Sequence, residues 1–345
     1  ISMWVMNTST TLMLLPIGLA ICSVVAKTVP NMSEKDKGNF DKALLLSIAY
    51  AATIGGMSTL VGTAPNIVFS SFMQEVYNLD ISMVDWMKLG VPVSIFMLAL
   101  AWFILTKVVY PVNFAASDET KRTLSKMLYD MGPMSKDEFR VGIVFSIAAG
   151  LWMFRSLIDN YVIGLTDAGI AIIVAIALFI IPSSGRKGEL LAWEQSSKLP
   201  WGLLLLFGGG LSLGVQINDT GLGLWIGQSL VSLKTVPLMI LVMAVAALII
   251  FLTEVTSNVA TTSTFLPVFG AVAVAVGVTP EVLTVPVVLA ASCAFMLPVA
   301  TPPNAIVYGS EKFTISEMMK AGFYINIVGI IVVTIFAAFV LPVVL

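Results

Sequence analysis

Long apolar runs separated by short polar stretches are the dominant pattern along the chain. Several runs approach or exceed the roughly 20 residues with which an α-helix crosses a bilayer. They cover 89–112, 163–183, 236–252 and 322–345. The runs are continuous rather than alternating, which excludes the strands of a membrane barrel. The pattern therefore predicts an all-α polytopic membrane protein.

Two polar clusters interrupt the apolar sequence in the same way. We call residues 2–11 the first knot and residues 253–262 the second knot. The two align without gaps, and each places an Asn and a pair of threonines before Leu-Pro. The matched positions are Asn7, Thr10, Thr11, Leu15 and Pro16 with Asn258, Thr261, Thr262, Leu266 and Pro267.

Two further landmarks follow each knot in the same order. GTAPN (62–66) pairs with ATPPN (300–304), and MKLG (87–90) pairs with MKAG (319–322). Pro and Gly in apolar sequence interrupt membrane helices where neighbouring groups satisfy the freed backbone. One such break is ordinarily a kink, but paired breaks in an ordered series indicate an internal repeat. Each copy reads as hairpin, interrupted helix and spanning helix.

Positive charge supports a topology with two re-entrant hairpins. If 1–26 and 236–274 each enter the membrane and return, 15 of the 18 Lys and Arg residues fall on one side, which we assign to the cytoplasm. Five crossings then separate the hairpins, and an odd number inverts the second copy. The sequence thus predicts inverted repeats with two re-entrant helical hairpins and two interrupted transmembrane helices, an arrangement typical of secondary transporters.

Composition narrows the chemistry. Charged residues make up 11% of the chain, against roughly 25% in soluble domains, and no basic tract suggests a nucleic-acid partner. The chain has no His, which excludes imidazole metal sites and His proton relays. Cys22 and Cys293 lie in apolar context without ligand spacing, so we expect small core residues.

The interrupted helices predict an anion site and a cation site together. Free backbone amides at a helix start attract anions, while carbonyl and side-chain oxygens suit Na⁺. No Lys or Arg lies within a knot or break, so a divalent anion at the midplane needs bound cations to neutralise it. For Thr11, Thr262 and Ser263 we expect only hydrogen bonds to the carbonyl four residues earlier.

Glu254, the acid in the second knot, admits two interpretations. It is either a cation ligand or proton carrier, or a paired structural group at the mouth of the hairpin. An intramembrane enzyme is a rival to the transporter, but the chain shows no paired catalytic Asp residues and no Ser–Lys arrangement.

At these motifs the sequence resembles the divalent anion/Na⁺ symporters, which include the dicarboxylate and citrate transporters. The family places a Ser-Asn-Thr motif in each of two re-entrant hairpins, each followed by a Thr-Pro-Pro type of break. Here the motif stands as MNT (6–8) and SNV (257–259), so Met6 and Val259 each replace a hydroxyl residue. The resemblance runs from residue 1 to the last helix.

The resemblance implies a site shared by two Na⁺ ions and the substrate. The first Na⁺ would use Ser2, Met6 through its backbone, Asn7 and Gly62, with Gly55 and Gly56 close by in sequence. The second would use Thr253, Thr256, Asn258 and Ala300. The substrate would contact Asn7, Thr8, Ser257, Asn258, Thr301 and Pro302.

The function implied is Na⁺-coupled transport of C4-dicarboxylates such as succinate, malate and fumarate, not enzymatic catalysis. Alternatives within the fold are a Na⁺-independent dicarboxylate exchanger and a citrate or sulfate transporter. We expect a homodimer in the bilayer of a bacterial inner membrane, and a longer natural protein with helices before residue 1. The expected divisions are a first transport segment at 1–78, scaffold helices at 79–217, a second transport segment at 218–310 and a last helix at 311–345.

Overall fold

The computed structural model describes residues 1–29, 32–114, 118–130, 132–158, 165–185, 188–194, isolated positions between 205 and 225, and 236–344. In these residues the long regular elements are all helices, which confirms the predicted all-α class. The α-helices are α1 (Asn7–Thr28), α2 (Glu34–Gly56), α3 (Ala64–Tyr77), α4 (Met83–Phe103), α5 (Asp118–Asp130), α6 (Lys136–Ile158), α7 (Asp167–Ile180), α8 (Leu238–Thr253), α9 (Asn258–Val276), α10 (Glu281–Ala291), α11 (Pro302–Tyr308), α12 (Ile315–Phe339) and α13 (Leu341–Val344).

Four helical segments of the described residues are long and apolar enough to cross a membrane. They are Asn7–Thr28, Met83–Val109, Asn258–Val276 and Ile315–Val344. The second includes a π-helical turn at Ile104–Val109 that continues α4. The predicted runs 163–183 and 236–252 correspond to the shorter helices α7 and α8. The apolar sequence at 200–217 predicts a further span, and 218–234 predicts an interfacial stretch; both lie largely outside the described residues.

The chain divides into two compact units. The first comprises Ile1–Ile81, Asp85–Leu124 and Leu205–Leu345, and it contains both knots and both repeat copies. The second comprises Ser82–Val84 and Ser125–Leu204. The boundaries expected at residues 78, 217 and 310 stay predictions.

The second unit is built on α6 packed against α7. The indole Nε1 of Trp152 donates to the Asp167 carbonyl at 3.1 Å. At the other end, the Asp137 carboxylate accepts from the Ser183 hydroxyl and the amides of Ser184 and Gly185. These hydrogen bonds, that from Ser183 first, lower the pKa of Asp137 to about 2. They fasten the loop after α7 to the start of α6.

The first unit contains the predicted repeat. Helices α1 to α4 form one copy, and α9 to α12 form the other. In each copy the knot helix packs along the helix that follows it, α1 on α2 and α9 on α10. Each short helix then packs on the other copy, since α11 contacts α1 and α2 while α3 contacts α9 and α10. This exchange brings the knots of both copies into one packed body.

The breaks lie earlier than the sequence predicted. The GTAPN motif (62–66) predicts that the helix resumes at Ile67, but α2 ends at Gly56 and α3 begins at Ala64, so the first break is 57–63 and that prediction is wrong. The apolar sequence at 282–300 predicts a helix that continues to the ATPPN motif, but α10 ends at Ala291, so that prediction is also wrong and the second break is 292–301. The motif prolines stand in the first turns of α3 and α11, where a missing N–H leaves no bond unmade.

Candidate functional site

Each knot contains the start of a helix, and each break ends at one. Asn7 and Asn258 are the first residues of α1 and α9, after extended residues Met6 (φ −48°, ψ 137°) and Ser257 (φ −67°, ψ 135°). The breaks end alike at Thr63 (φ −145°, ψ 145°) and Thr301 (φ −143°, ψ 150°). The first amides of α1 and α9 have no partner within the helix, so these two starts are suited to an anion. The starts of α3 and α11 contain prolines, and the amides of Asn66 and Asn304 are bonded to Thr63 and Thr301.

Three predicted ligands of the first Na⁺ site converge on the end of α2. A Cβ placed on Gly55 would lie 2.2 Å from the Ser2 Oγ, and one on Gly56 would lie 2.4 Å from the Asn7 Oδ1. A Cβ on Gly62 would lie 2.4 Å from the Gly56 carbonyl oxygen. The first knot therefore approaches α2 where only glycines leave room for it.

The Asn7 side-chain oxygen fits a cation ligand. It is buried and has no hydrogen-bond partner among the described residues, and neither has the Thr53 hydroxyl in the last turn of α2. An unpaired buried acceptor is unfavourable unless something else satisfies it. The Met6 side chain is 52% exposed, so the group that this residue would offer a cation is its carbonyl oxygen. That oxygen also accepts from the Thr10 amide at 3.0 Å. The donor set is entirely oxygen, which suits Na⁺.

The second knot is held by hydroxyl groups. The Thr253 Oγ1 lies 2.9 Å from both the Asn258 Oδ1 and the Ala291 carbonyl oxygen, with one hydrogen to donate. The Thr256 Oγ1 lies 2.6 Å from the Thr261 Oγ1. Thr253 and Asn258 are therefore in direct contact, whereas Thr256 bonds to Thr261, and their shared Na⁺ site stays a prediction. Ala300 lies on the second break, and among the described residues no hydrogen bond joins it directly to the knot.

Glu254 makes that connection, and the contacts support the structural interpretation left open above. Its carboxylate is buried and accepts from the amides of Phe295, Met296 and Leu297, as well as from the Asn326 side chain. Each of these groups donates a hydrogen bond to the carboxylate. Because three of them are amides of the second break, the carboxylate connects the break to the knot.

The predicted substrate residues differ in exposure. Ser257 and Pro302 are exposed, Thr8 is half-buried, and Thr301 is buried. The Thr301 hydroxyl caps α11 by accepting from the Asn304 amide at 3.4 Å. Val259, which replaces a hydroxyl residue of the family motif, is 6% exposed, so its side chain belongs to the core.

Two asparagines that the sequence did not single out as site residues hold the breaks. The Asn66 Nδ2 donates to the Thr59 carbonyl at 2.8 Å and the Asn304 Nδ2 to the Leu297 carbonyl at 3.0 Å. Thr59 and Leu297 occupy aligned positions, so the two copies make the same bond. The matched Asn of GTAPN and ATPPN was the available signal.

Each break packs closely against a glycine of a later helix, α4 in the first copy and α12 in the second. A Cβ on Gly90 would lie 2.7 Å from the Met57 carbonyl oxygen, and one on Gly322 would lie 2.2 Å from that of Phe295. Gly90 and Gly322 are the glycines of MKLG and MKAG. The sequence pattern identified both motifs as landmarks of the repeat. It did not predict that the backbone of each break packs against their glycines.

Three further small polar residues of the knot helices and the two cysteines lie in the protein interior. The Thr11 hydroxyl donates to the Asn7 carbonyl and the Thr262 hydroxyl to the Asn258 carbonyl, each at 2.8 Å, as predicted. The same prediction for Ser263 is wrong, since its buried hydroxyl has no partner among the described residues. Cys22 and Cys293 are free and buried, which confirms their place in the core.

Comparison with known proteins identifies related sequences over the whole length. The family model described as the sodium:sulfate symporter transmembrane region matches residues 1–345. A sodium-dependent dicarboxylate transporter, SdcS, of Staphylococcus saprophyticus is 37% identical over 351 residues, covering all of this chain and 68% of that protein. SdcS of Staphylococcus aureus strain USA300 is 38% identical with the same coverage.

A solved structure supports the fold. The crystal structure of the Alcanivorax borkumensis YdaH transporter, described as having an unusual topology, is similar with a TM-score of 0.51. The match covers 97% of this chain and 83% of that one at 16% identity.

Proposed function

The chain belongs to the sodium:sulfate symporter family, and on that premise we propose that it carries C4-dicarboxylates such as succinate, malate and fumarate together with Na⁺. It is a secondary transporter of the bacterial plasma membrane that works by alternating access. The name shared by its dicarboxylate-transporting relatives supports the substrate class. Transport without enzymatic catalysis is part of the same proposal.

The observation that carries the proposal is the pair of knot asparagines at matched helix starts. Each is the first residue of a helix whose first amides have no partner within it, and neither knot contains Lys or Arg. The Asn7 side-chain oxygen is unpaired among the described residues, and the Asn258 side-chain oxygen lies 2.9 Å from the Thr253 hydroxyl. Amides and the helix dipole suit a carboxylate, and the oxygens suit Na⁺. An Asn in each knot would thus bind both a substrate carboxylate and a Na⁺ ion, one Asn on each side of the substrate.

The proposed roles of individual residues are those that the family resemblance implies. Ser2, Asn7, Gly62 and the Met6 carbonyl hold one Na⁺, while Thr253, Thr256, Asn258 and the Ala300 carbonyl hold the other. Substrate carboxylates contact Asn7, Thr8, Ser257, Asn258, Thr301 and Pro302. The unpaired Asn7 oxygen and the glycine seat at Gly55–Gly56 support the first set, and the Thr253–Asn258 contact supports the second.

Coupling follows from charge. A dicarboxylate brings two negative charges into a low-dielectric region, where each unneutralised charge is unfavourable by several kcal/mol. Because the knots carry no cationic side chain, the ions must enter with the substrate or before it. Na⁺ therefore raises the affinity for the anion, and the anion raises the affinity for Na⁺ by the same factor.

The lipid bilayer and a second copy of the chain are the proposed partners. Large apolar side chains are exposed along α6, α7 and α12, for example Ile147, Ile173 and Ile331. Such faces suit lipid tails or another membrane helix. The mass of the purified, detergent-corrected particle tests the homodimer.

The proposed function is tested by uptake of labelled succinate into proteoliposomes containing the full-length protein. We expect uptake with an inward Na⁺ gradient and little when K⁺ replaces Na⁺. Equal uptake in both would favour the exchanger, and no uptake in either would favour citrate or sulfate as the substrate.

The site assignment is tested in the same assay. Asn7→Ala and Asn258→Ala should each lower uptake by about tenfold or more, since a hydrogen bond to a charged group is worth about 1.5–3 kcal/mol. Asn113→Ala, in an exposed position, is the matched control. Normal uptake by both knot variants would contradict the assignment.

A further inference from the structure

Glu254 is a buried acid in the second knot whose contacts are all donors. The side chain is 4% exposed. It accepts from the Phe295 amide at 2.8 Å, the Met296 amide at 2.9 Å and the Leu297 amide at 3.1 Å. It also accepts from the Asn326 Nδ2 at 2.7 Å. No cationic side chain pairs with it in the part of the chain that the structure describes.

These three amides would otherwise have no acceptor. Helix α10 has ended at Ala291 and α11 does not begin until Pro302, so the break lies outside any helix. Buried backbone amides need acceptors, and consecutive amides pointing to one side make a natural seat for an anion. Here the anion is a side chain of the protein itself, contributed by the hairpin tip.

The carboxylate joins the two segments that carry the proposed second Na⁺ site. On one side it is flanked by Thr253 and is four residues from Asn258. On the other, the Leu297 carbonyl accepts from the Ala300 amide at 3.2 Å and from the Asn304 side chain at 3.0 Å. A single side chain therefore fixes the break that contains Ala300 relative to the knot that contains Asn258.

The first half makes the equivalent connection without a charge. Met3 aligns with Glu254 and Thr59 aligns with Leu297, and the Thr59 hydroxyl donates to the Met3 carbonyl. Aligned positions are thus connected in both halves, and in both the break donates to the knot: a hydroxyl donates to a backbone carbonyl in the first half, and backbone amides donate to a carboxylate in the second. The acid is a feature of the second half alone.

Building on the proposed function, we propose that Glu254 is the positioning residue of the second Na⁺ site, holding Ala300 of the second break in register with Asn258 of the knot. The carboxylate lies beside that site rather than in it, because the break amides and Asn326 occupy its oxygens. Its charge also favours a cation nearby, since charges interact strongly in the low dielectric of a membrane protein. Loss of the carboxylate should weaken Na⁺ binding more than substrate binding.

The test is Glu254→Gln in the full-length protein. The amide keeps the size of the side chain, but its NH₂ group faces donors and it carries no charge. In proteoliposomes, we expect the Na⁺ concentration for half-maximal succinate uptake to rise about tenfold or more, and the Hill coefficient for Na⁺ to fall towards one. The succinate KM at saturating Na⁺ should stay within about threefold of the wild type. A defect in folding alone would lower the amount of active protein without shifting the Na⁺ curve.

A second readout needs no transport. Na⁺ stabilises a protein that binds it, so adding Na⁺ should raise the thermal unfolding midpoint of the wild type in detergent. That rise should be reduced in Glu254→Gln. Glu281→Gln, which removes an acid from the first turn of α10, is the matched control and should keep the wild-type rise.

A milder variant keeps the test decisive if Glu254→Gln does not accumulate. Asn326→Ser removes one donor from the carboxylate and places there the residue that the first half has at the aligned position, Ser94. We expect a smaller shift of the Na⁺ curve in the same direction. An unchanged Na⁺ curve in this variant would then overturn the inference.

The outcomes separate this inference from the proposed function. A Na⁺-dependent wild type with the same Na⁺ curve in Glu254→Gln overturns the positioning role alone. An equal rise in the Na⁺ requirement and the succinate KM also overturns it. A wild type with neither Na⁺-driven uptake nor Na⁺-dependent stabilisation overturns the proposed function and this inference together.

Discussion

Both breaks of the repeat leave backbone amides outside a helix, and the two halves satisfy these amides with different acceptors. In the first break, the amides of Met57 and Ser58 bond to the Ile54 and Gly55 carbonyls at the end of α2. The turn closes on itself, and a neutral hydroxyl connects it to the knot. In the second break, three amides bond to the carboxylate of Glu254.

The difference shows that the halves share a backbone scaffold but not a charge distribution. The Asn side chain that holds each break and the Gly that seats it are conserved between copies within this chain. The groups that bond the break to the knot are not. We therefore expect equal effects where the halves match and unequal effects where they differ.

The largest effects should come from Asn66→Asp and Asn304→Asp. Both side chains are fully buried, and a carboxylate would face carbonyl oxygens where an amide now donates. An unpaired buried charge destabilises by about 3–5 kcal/mol, so both unfolding midpoints should fall sharply and by similar amounts. Asn113→Asp, in an exposed position, should be neutral. Tolerance of one variant but not the other would show that the two breaks are held differently.

Gly322→Ala should destabilise more than Gly90→Ala. The new Cβ would lie 2.2 Å from the Phe295 carbonyl oxygen in the second half but 2.7 Å from that of Met57 in the first. Overpacking typically costs about 1–3 kcal/mol, and we place Gly322→Ala at the upper end. Gly142→Ala, with no atom near its Cβ, is the control for thermal unfolding in detergent. The reverse order would contradict the closer approach in the second half.

Removal of two single hydroxyls should destabilise the protein by similar amounts. The two variants should differ in whether their effects add to that of Glu254→Gln. Tyr50→Phe removes a 2.8 Å hydrogen bond to the Phe295 carbonyl, and Ser94→Ala removes one of 2.9 Å to the Ile54 carbonyl. Each should lower the free energy of unfolding by about 0.5–1.5 kcal/mol. Combined with Glu254→Gln, Tyr50→Phe should be non-additive, because both changes act on Phe295. Ser94→Ala should be additive, and coupling there instead would refute this assignment.

The smallest effects should come from Thr11→Val and Thr262→Val. Each hydroxyl only bonds the carbonyl four residues earlier in its own helix. Such bonds add little to a helix, so stability should change by no more than about 0.5 kcal/mol and Na⁺-driven uptake should be retained. A loss of uptake in one variant would indicate that this Thr contacts a ligand.

The sequence alone determined the class, the repeat and its landmarks. Apolar runs of membrane length have few ways to fold other than as helices, because lipid cannot satisfy an open backbone. The Asn, Pro and Gly landmarks were readable because each has a local physical cause. Pro favours a helix start, Asn offers a donor and an acceptor, and Gly permits close approach.

Only the tertiary structure decided where the breaks begin and what satisfies them. Their partners are distant in the chain: Met3 for Thr59, Glu254 for Leu297, and Tyr50 for Phe295. A local pattern cannot reveal a bond whose two ends are brought together by packing. For the same reason the sequence left Glu254 open between a cation ligand and a structural acid. Its role depends on three backbone amides that carry no side-chain signal at all.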